Sequence, residues 1–226
     1  FRHPGAKPRS IAISRQRASV GCAIAGYQRV RKRVTEGANT ETTVYLGKAF
    51  ERVSRSDGST TERYYLAAGA RLVVMFERQG SAAVSPHYIL SDRLGSVDVV
   101  LDSGLNLRES LSFDAWGQPR AADWRGGGVA PAVTRRGYTG HEMDGEGGLV
   151  NMNARLYDPW LGRFLQADPV IADVYNPQNL NRYSYVLNDP LGYTDPTGNI
   201  AAPASTGTEV SYFTFEDLFV DGLLDG

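Results

Sequence analysis

From Thr42 onward, apolar and polar residues alternate in short runs interrupted by Gly, Asp and Pro. That is the period-2 pattern of half-buried strands, not the 3.6-residue period of helices. Thr43-Val44-Tyr45-Leu46 leads to Phe50-Glu51-Arg52-Val53, and a polar turn at Ser56-Asp57-Gly58-Ser59 precedes Glu62-Arg63-Tyr64-Tyr65-Leu66. An Asp-Gly pair between two alternating runs is the strongest short-range hairpin signal. A second meander runs from Arg71 to Glu77, turns near Gly80, and continues through Tyr88-Ile89-Leu90. It bends at Asp92-Arg93-Leu94-Gly95 and runs on through Ser96 to Asp102, a turn at Ser103-Gly104, and Leu107 to Phe113. The pattern predicts an all-β chain with little helix.

Aromatic anchors recur at Tyr45, Tyr65, Tyr88, Phe113, Tyr138 and Tyr157, spaced by 20, 23, 25, 25 and 19 residues. A loose period in this range suits a repeat array in which each unit buries its apolar face against its neighbours. A β-sandwich also turns every 8–12 residues, so spacing alone leaves both architectures open. Gly126-Gly127-Gly128 with Pro131 marks a joint or loop.

The 226 residues suffice for a substantial core in one or two domains. A net charge of -1 supplies no overall pull toward nucleic acid or membrane. The single Cys22 excludes an intramolecular disulfide framework and a multi-cysteine metal site. No apolar run approaches the ~18 residues of a spanning helix, and no segment reads as a signal peptide. Because Phe1 is not an initiator Met, the chain reads as a piece of something larger, or as one with a processed or misannotated start. Residues 1–33 hold nine Lys or Arg and no acid. They lack aromatic interleaving and amphipathic spacing, so residues 1–26 are expected to be a poorly ordered basic arm, and nucleic acid is not an expected partner.

Chemistry concentrates between Gly148 and Asn199, where four Asp-Pro pairs fall at Asp158, Asp168, Asp189 and Asp195. Each Pro bars helix for the residue before it and fixes its own φ, so each carboxylate sits at a rigid corner. Two such carboxylates brought together cannot both ionise cheaply; one holds a proton while the other activates water. Alternatively, each Asp caps its own turn. His141, Glu142, Asp144 and Glu146 carry metal-ligating atoms, but no second histidine is near and Gly145, Gly147 and Gly148 favour a tight turn. Gly126-Gly127-Gly128 lacks the Lys and Ser/Thr of a phosphate loop. No cofactor is expected.

Several motifs are similar to the RHS repeat-associated core domain of Rhs and YD-repeat proteins and of toxin-complex C components. They are Gly148-Leu149, Asn153-Ala154-Arg155-Leu156-Tyr157-Asp158-Pro159, Gly162-Arg163-Phe164, Asp168-Pro169, Asn181-Arg182-Tyr183-Ser184-Tyr185-Val186 and Asp195-Pro196-Thr197-Gly198. Asp92-Arg93-Leu94-Gly95-Ser96-Val97, Ser112-Phe113-Asp114-Ala115-Trp116-Gly117 and Arg136-Gly137-Tyr138-Thr139-Gly140-His141-Glu142 extend the resemblance upstream. It begins near Gly26-Tyr27-Gln28, similar to the end of a YD repeat. The resemblance implies YD-repeat strands of a β-spiral shell over 27–125, the Rhs-associated core over 126–199, and a short acidic C-terminal segment, 200–226, as an effector stub.

The family encloses a C-terminal toxin and frees it by aspartate-dependent self-cleavage. Carried onto this sequence, that implies Asp168 and Asp195 as the dyad, Arg163 as the supporting cation and Asn199–Ile200 as the scissile bond, with Asp158 and Asp189 as alternates. Asn199 stands where the family motif has Leu or Met, and a misfitted apolar pocket costs on the order of 1–3 kcal/mol. The segment around Ile171-Ala172-Asp173-Val174-Tyr175-Asn176-Pro177 is a few residues longer than usual. The resemblance further implies upstream YD repeats of a parent shell, the chain's own C-terminal segment as cargo, an immunity or secretion-system partner, and a secreted or cell-surface location. An orphan member without active toxin is the expectation for the short final segment. The other reading is a non-enzymatic cell-surface or secreted binding module for carbohydrate or protein, using Trp116, Trp124 or Trp160.

Overall fold

The computed structural model describes residues 19–25, 28–69, 71–121, 128, 130–145, 148–169, 171 and 173–204. Nine strands form one antiparallel meander in chain order: β1 (Ser19–Ala25), β2 (Gln28–Glu36), β3 (Asn39–Leu46), β4 (Phe50–Arg55), β5 (Thr60–Ala68), β6 (Arg71–Gln79), β7 (Ser85–Ser91), β8 (Val97–Leu101) and β9 (Leu107–Ser110). A four-stranded sheet follows, with β10 (Glu142–Asp144), β11 (Leu149–Met152), β12 (Arg155–Asp158) and β13 (Arg163–Phe164). A two-stranded ladder pairs β14 (Tyr193–Thr194) with β15 (Ala202–Pro203). Among the described residues the only α-helix is the single turn Pro177–Leu180, capped by the Asn176 side chain accepting from Gln178 N–H at 3.0 Å.

Turn chemistry explains the meander. Asp57-Gly58 closes the β4–β5 hairpin, with Gly58 at φ +84° and Ser59 N–H donating to Asp57 Oδ1 at 2.8 Å. Asp92 Oδ1 accepts from the N–H groups of Leu94 and Ser96, both at 2.8 Å. Asp102 repeats this with Gly104 and Asn106, and Asp114 with Trp116 and Gln118. A short carboxylate that satisfies two amides of its own turn frees the backbone to reverse direction.

One face of the large sheet is buried. Val34, Tyr45, Val53, Tyr65, Met75, Ile89, Val97 and Val100 point inward, while Val44, Leu46, Tyr64 and Leu90 point outward. Strand alternation corrects one expected anchor: Ile89 takes the inward position of β7, so Tyr88 is 38% exposed. Of the inward residues, Tyr65, Met75, Ile89, Val97 and Val100 merge with Phe113, Tyr138, Met143, Val150, Met152, Tyr157, Phe164, Tyr185 and Val186 into one core. At its centre Tyr157 lies 4.6 Å from Tyr185 and 5.7 Å from Phe164, ring centroid to centroid. Their neighbour Tyr138 donates its hydroxyl to the Ala115 carbonyl, and Tyr157 donates to that of Trp116, so these two rings bury with their polar tips satisfied.

Two expectations for the N-terminal stretch change. Ser19–Ala25, inside the span 1–26 expected to be poorly ordered, pairs antiparallel with β2; residues 1–18 lie outside the described residues. Arg29 and Lys32, part of the basic run, are buried against β10. Arg29 reaches Glu142 at 3.1 Å and Asp144 at 2.7 Å, Lys32 reaches Asp144 at 2.7 Å, and the Tyr45 hydroxyl donates to Glu142 at 2.7 Å. Burial works against ionisation of Asp144, yet Arg29 and Lys32 hold its carboxyl below the usual range. Glu142 and Asp144 thus serve to fasten the small sheet to the large one. Glu146 and Trp124 lie outside the described residues, as does most of the glycine joint.

Cutting that fastening should be costly, because a buried carboxylate without its partner is destabilising. Arg29→Met is expected to lower the unfolding free energy by about 3 kcal/mol, measured by urea denaturation.

Candidate functional site

The β14–β15 ladder closes a loop from Asp195 to Ala201, and the Asp195 carboxylate organises it from within. Its Oδ1 accepts N–H groups from Gly198 at 2.7 Å, Asn199 at 3.0 Å, Ile200 at 3.1 Å and Thr197 at 3.3 Å. The Ile200 nitrogen belongs to the bond singled out by sequence. Gly198 at φ +80° is obligatory here: a Cβ would fall 1.9 Å from the Met152 carbonyl oxygen.

Oδ2 of Asp195 receives Arg155 Nη2 at 3.2 Å, and the same nitrogen meets Asp168 Oδ2 at 2.9 Å. One guanidinium therefore joins the two aspartates of the expected dyad. Arg155 also donates through Nε to the Gly198 carbonyl and through Nη1 to the Arg182 carbonyl at 3.2 Å, and it stacks 3.6 Å above the Phe164 ring. Asp168 is set by Arg182, whose Nε donates to the Asp168 carbonyl at 2.6 Å while Asp168 N–H donates back at 2.8 Å.

The cation between the carboxylates is Arg155; Arg163, the expected one, is exposed on β13. The reason is alternation. Phe164 takes the inward position on β13 and turns Arg163 outward, whereas Arg155 shares the inward face of β12 with Tyr157. That signal lay in the Asn-Ala-Arg-Leu-Tyr run, once its buried face is known. Asp158 and Asp189 stand apart from this pair as caps of their own turns, Asp158 accepting from Trp160 N–H at 2.8 Å and Asp189 from Gly192 N–H at 2.9 Å.

Burial pushes the Asp195 carboxyl above the usual carboxylate range, against the opposing pull of Ile200 N–H, the Arg155 guanidinium and the amides of Gly198 and Thr197. Such a group is suited to hold a proton in a dry site. The Asn199 Oδ1 atom is buried without a hydrogen-bond partner, which leaves the cost of its desolvation uncompensated. Three donors meet at the Pro196 carbonyl: Lys48 Nζ at 2.8 Å, Asn153 Nδ2 at 2.9 Å and His141 Nε2 at 3.4 Å. Burial, Lys48 and Arg136 together depress His141 to about 3. The ring is neutral at ordinary pH, its Nδ1 2.9 Å from the Thr139 hydroxyl. Among the described residues no group of three His, Cys, Asp or Glu could hold a metal ion.

A profile described as Teneurin YD-shell matches residues 54–191, more than half of the chain. The chain belongs to the Teneurin YD-shell family. This YD-shell chain is 48% identical over 64 residues to salivary gland surface protein 1 of Aedes aegypti, covering 28% of the chain and 2% of that relative. It is 44% identical over 61 residues to toxin subunit YenC2 of Yersinia entomophaga, covering 27% of the chain and 6% of the relative. Its fold matches the crystal structure of TcdB2-TccC3-Cdc42 with a TM-score of 0.65 at 22% identity, covering 79% of this chain and 9% of that one. The YD-shell chain thus spans less than a tenth of each of these proteins. The expected all-β shell fold is the fold observed. Among the described residues no helix is long and apolar enough to cross a membrane.

Two outcomes follow from the loop's polar surroundings. An unfolded His141 takes up its proton near ~6.5, the folded one only near 3. The unfolded state therefore binds more protons in that window, and stability rises with pH across it. His141→Gln should flatten this part of the urea-midpoint profile relative to wild type. Asn199→Leu, by removing the orphaned amide, should raise the unfolding free energy by about 1 kcal/mol, read as a higher urea midpoint.

Proposed function

We propose that this YD-shell chain is the C-terminal part of a toxin-encapsulating shell, with wall strands over 27–125 and the Rhs-associated core over 126–199, and that it cuts its own backbone between Asn199 and Ile200. The observation that carries this reading is the Ile200 nitrogen on the carboxylate of Asp195, which one guanidinium joins to Asp168. The similarity to a toxin subunit supports it.

In this reading Asp168 is the base. It takes a proton from a water that adds to the Asn199 carbonyl carbon. As that carbon becomes tetrahedral, the Ile200 nitrogen regains its lone pair, and protonated Asp195, already in contact with it, hands over its proton. The C–N bond breaks, leaving a free amine on Ile200 and a carboxylic acid on Asn199, whose proton passes to the ionised Asp195. Arg155 orients Asp168 and holds the Gly198 carbonyl so that the turn cannot relax. Tethering removes the need for substrate affinity, since the scissile bond is already in place. The chain's own C-terminal segment is the cargo, the upstream YD repeats complete the wall, and an immunity or secretion-system partner acts on a secreted or cell-surface shell. No cofactor takes part in the step.

A non-enzymatic binding module for carbohydrate or protein is the second reading. It is favoured by Trp160, 81% exposed at the Asp158-Pro159 corner, and by the similarity to a surface protein.

Intact mass of the freshly folded chain separates the two. Wild type is expected to lose residues 200–226, while Asp195→Asn and Asp168→Asn slow the cut on the order of a hundredfold or more. Arg155→Lys should slow it and Arg163→Ala should not. A folded wild-type chain that keeps its full mass favours the binding module.

A further inference from the structure

The Pro196 carbonyl carries more donors than the loop needs for its own stability. A carbonyl oxygen has two lone pairs, and Lys48 at 2.8 Å and Asn153 at 2.9 Å already fill them before His141 approaches at 3.4 Å. The donors come from three separate places. Lys48 lies in the β3–β4 turn of the large sheet, Asn153 in the β11–β12 turn, and His141 immediately before β10. The loop is also held by its own Asp195, by Ala154 N–H donating to the Thr197 carbonyl at 3.1 Å and by Arg155 Nε on the Gly198 carbonyl, none of which comes from the large sheet.

Lys48 is the informative member. It sits at an exposed turn, and ordering a long lysine side chain costs up to ~2 kcal/mol of rotamer freedom, about what a hydrogen bond from a charged donor returns. The contact therefore adds little to stability. What it does is fix the residue next to Asp195 from the opposite sheet, with 148 positions of chain between donor and acceptor. Catalytic geometry must hold to within about 0.5 Å, so a loop free on that side places the Asn199 carbonyl imprecisely against the two aspartates.

Resting on the self-cleavage reading above, we propose that Lys48, Asn153 and His141 are positioning residues for the cut at Asn199–Ile200, and that Lys48 makes the cut conditional on a folded wall. The Lys48 ammonium reaches Pro196 only when β3 and β4 pair and their turn, with Gly47 at φ +56°, is formed against the core. Wall folding then precedes cutting, and the segment after Asn199 is freed only once the strands beside it stand.

The test compares the full chain with Lys48→Met and Lys48→Arg for cleavage rate by intact mass and for thermal melting. Amide hydrogen exchange of residues 197–200 is compared in an uncut Asp168→Asn background with and without Lys48→Met. Asn153→Gly, which keeps the left-handed backbone at φ 63°, serves as a second variant. The expected result is a cut slowed on the order of a hundredfold in Lys48→Met, with unchanged melting, faster exchange at 197–200, recovery in Lys48→Arg, and a similar loss in Asn153→Gly. Wild-type cutting by Lys48→Met, or unchanged exchange, overturns the proposal. Faster exchange in a chain that never cuts overturns self-cleavage, and with it the conditional cut, but supports Lys48 as the lock on the loop.

Discussion

The guanidinium of Arg155 is the constraint on which the C-terminal part of the structure depends. A buried guanidinium cannot shed its charge and must find acceptors for its N–H groups. Arg155 finds them in Asp168, Asp195 and the carbonyls of Gly198 and Arg182, with the Phe164 ring closing one face. Four segments distant in sequence are thereby held at one point. The Asp195 loop is set by that planar fork against the Asp168 corner and the Arg182 turn, which also bond each other directly.

The same economy joins the two sheets. Arg29 and Lys32 on β2 meet Glu142 and Asp144 on β10, and the Tyr45 hydroxyl ends on Glu142, while within the large sheet Arg63 meets Glu51 at 3.0 Å and Glu77 at 2.9 Å and the Tyr65 hydroxyl ends on Glu51. These are buried polar networks in place of a purely apolar seam. Replaced by hydrocarbon of similar volume, such networks often lose nothing in stability, whereas removing one member strands a charge. Their directionality fixes the register between a strand near the beginning of the chain and one far along it, which non-directional apolar contact alone would not do. The aromatic cluster of Tyr138, Tyr157, Phe164 and Tyr185 then fills the space that this register defines.

Lys48 extends that logic to the loop. The wall contributes a donor to the Pro196 carbonyl, so the geometry at Asn199–Ile200 is a property of both sheets together. Asn199 itself is the loop's least comfortable residue, its amide oxygen buried and unpaired beside four backbone amides that all converge on one carboxylate oxygen.

The strands between Thr42 and Phe113 and their turns, though not β1, were legible in the sequence, because period-2 alternation, Asp-Gly and the recurring Asp-initiated turns are local signals with local causes. One guanidinium joins Asp168 to Asp195, and the Ile200 N–H donates to Asp195. What the sequence could not assign was which arginine stands between them. Arg155 and Arg163 both follow short residues and precede aromatic or aliphatic ones, and only the inward faces of β12 and β13, set by Tyr157 and Phe164, separate them. The outward turn of Tyr88, the burial of Arg29 and Lys32, and the meeting of Lys48, Asn153 and His141 at one carbonyl were likewise decided by the tertiary structure alone. Local chemistry determines whether a residue lies in a strand or a turn. Which distant partner its side chain meets depends on how sheets pack, and no spacing along the chain records that.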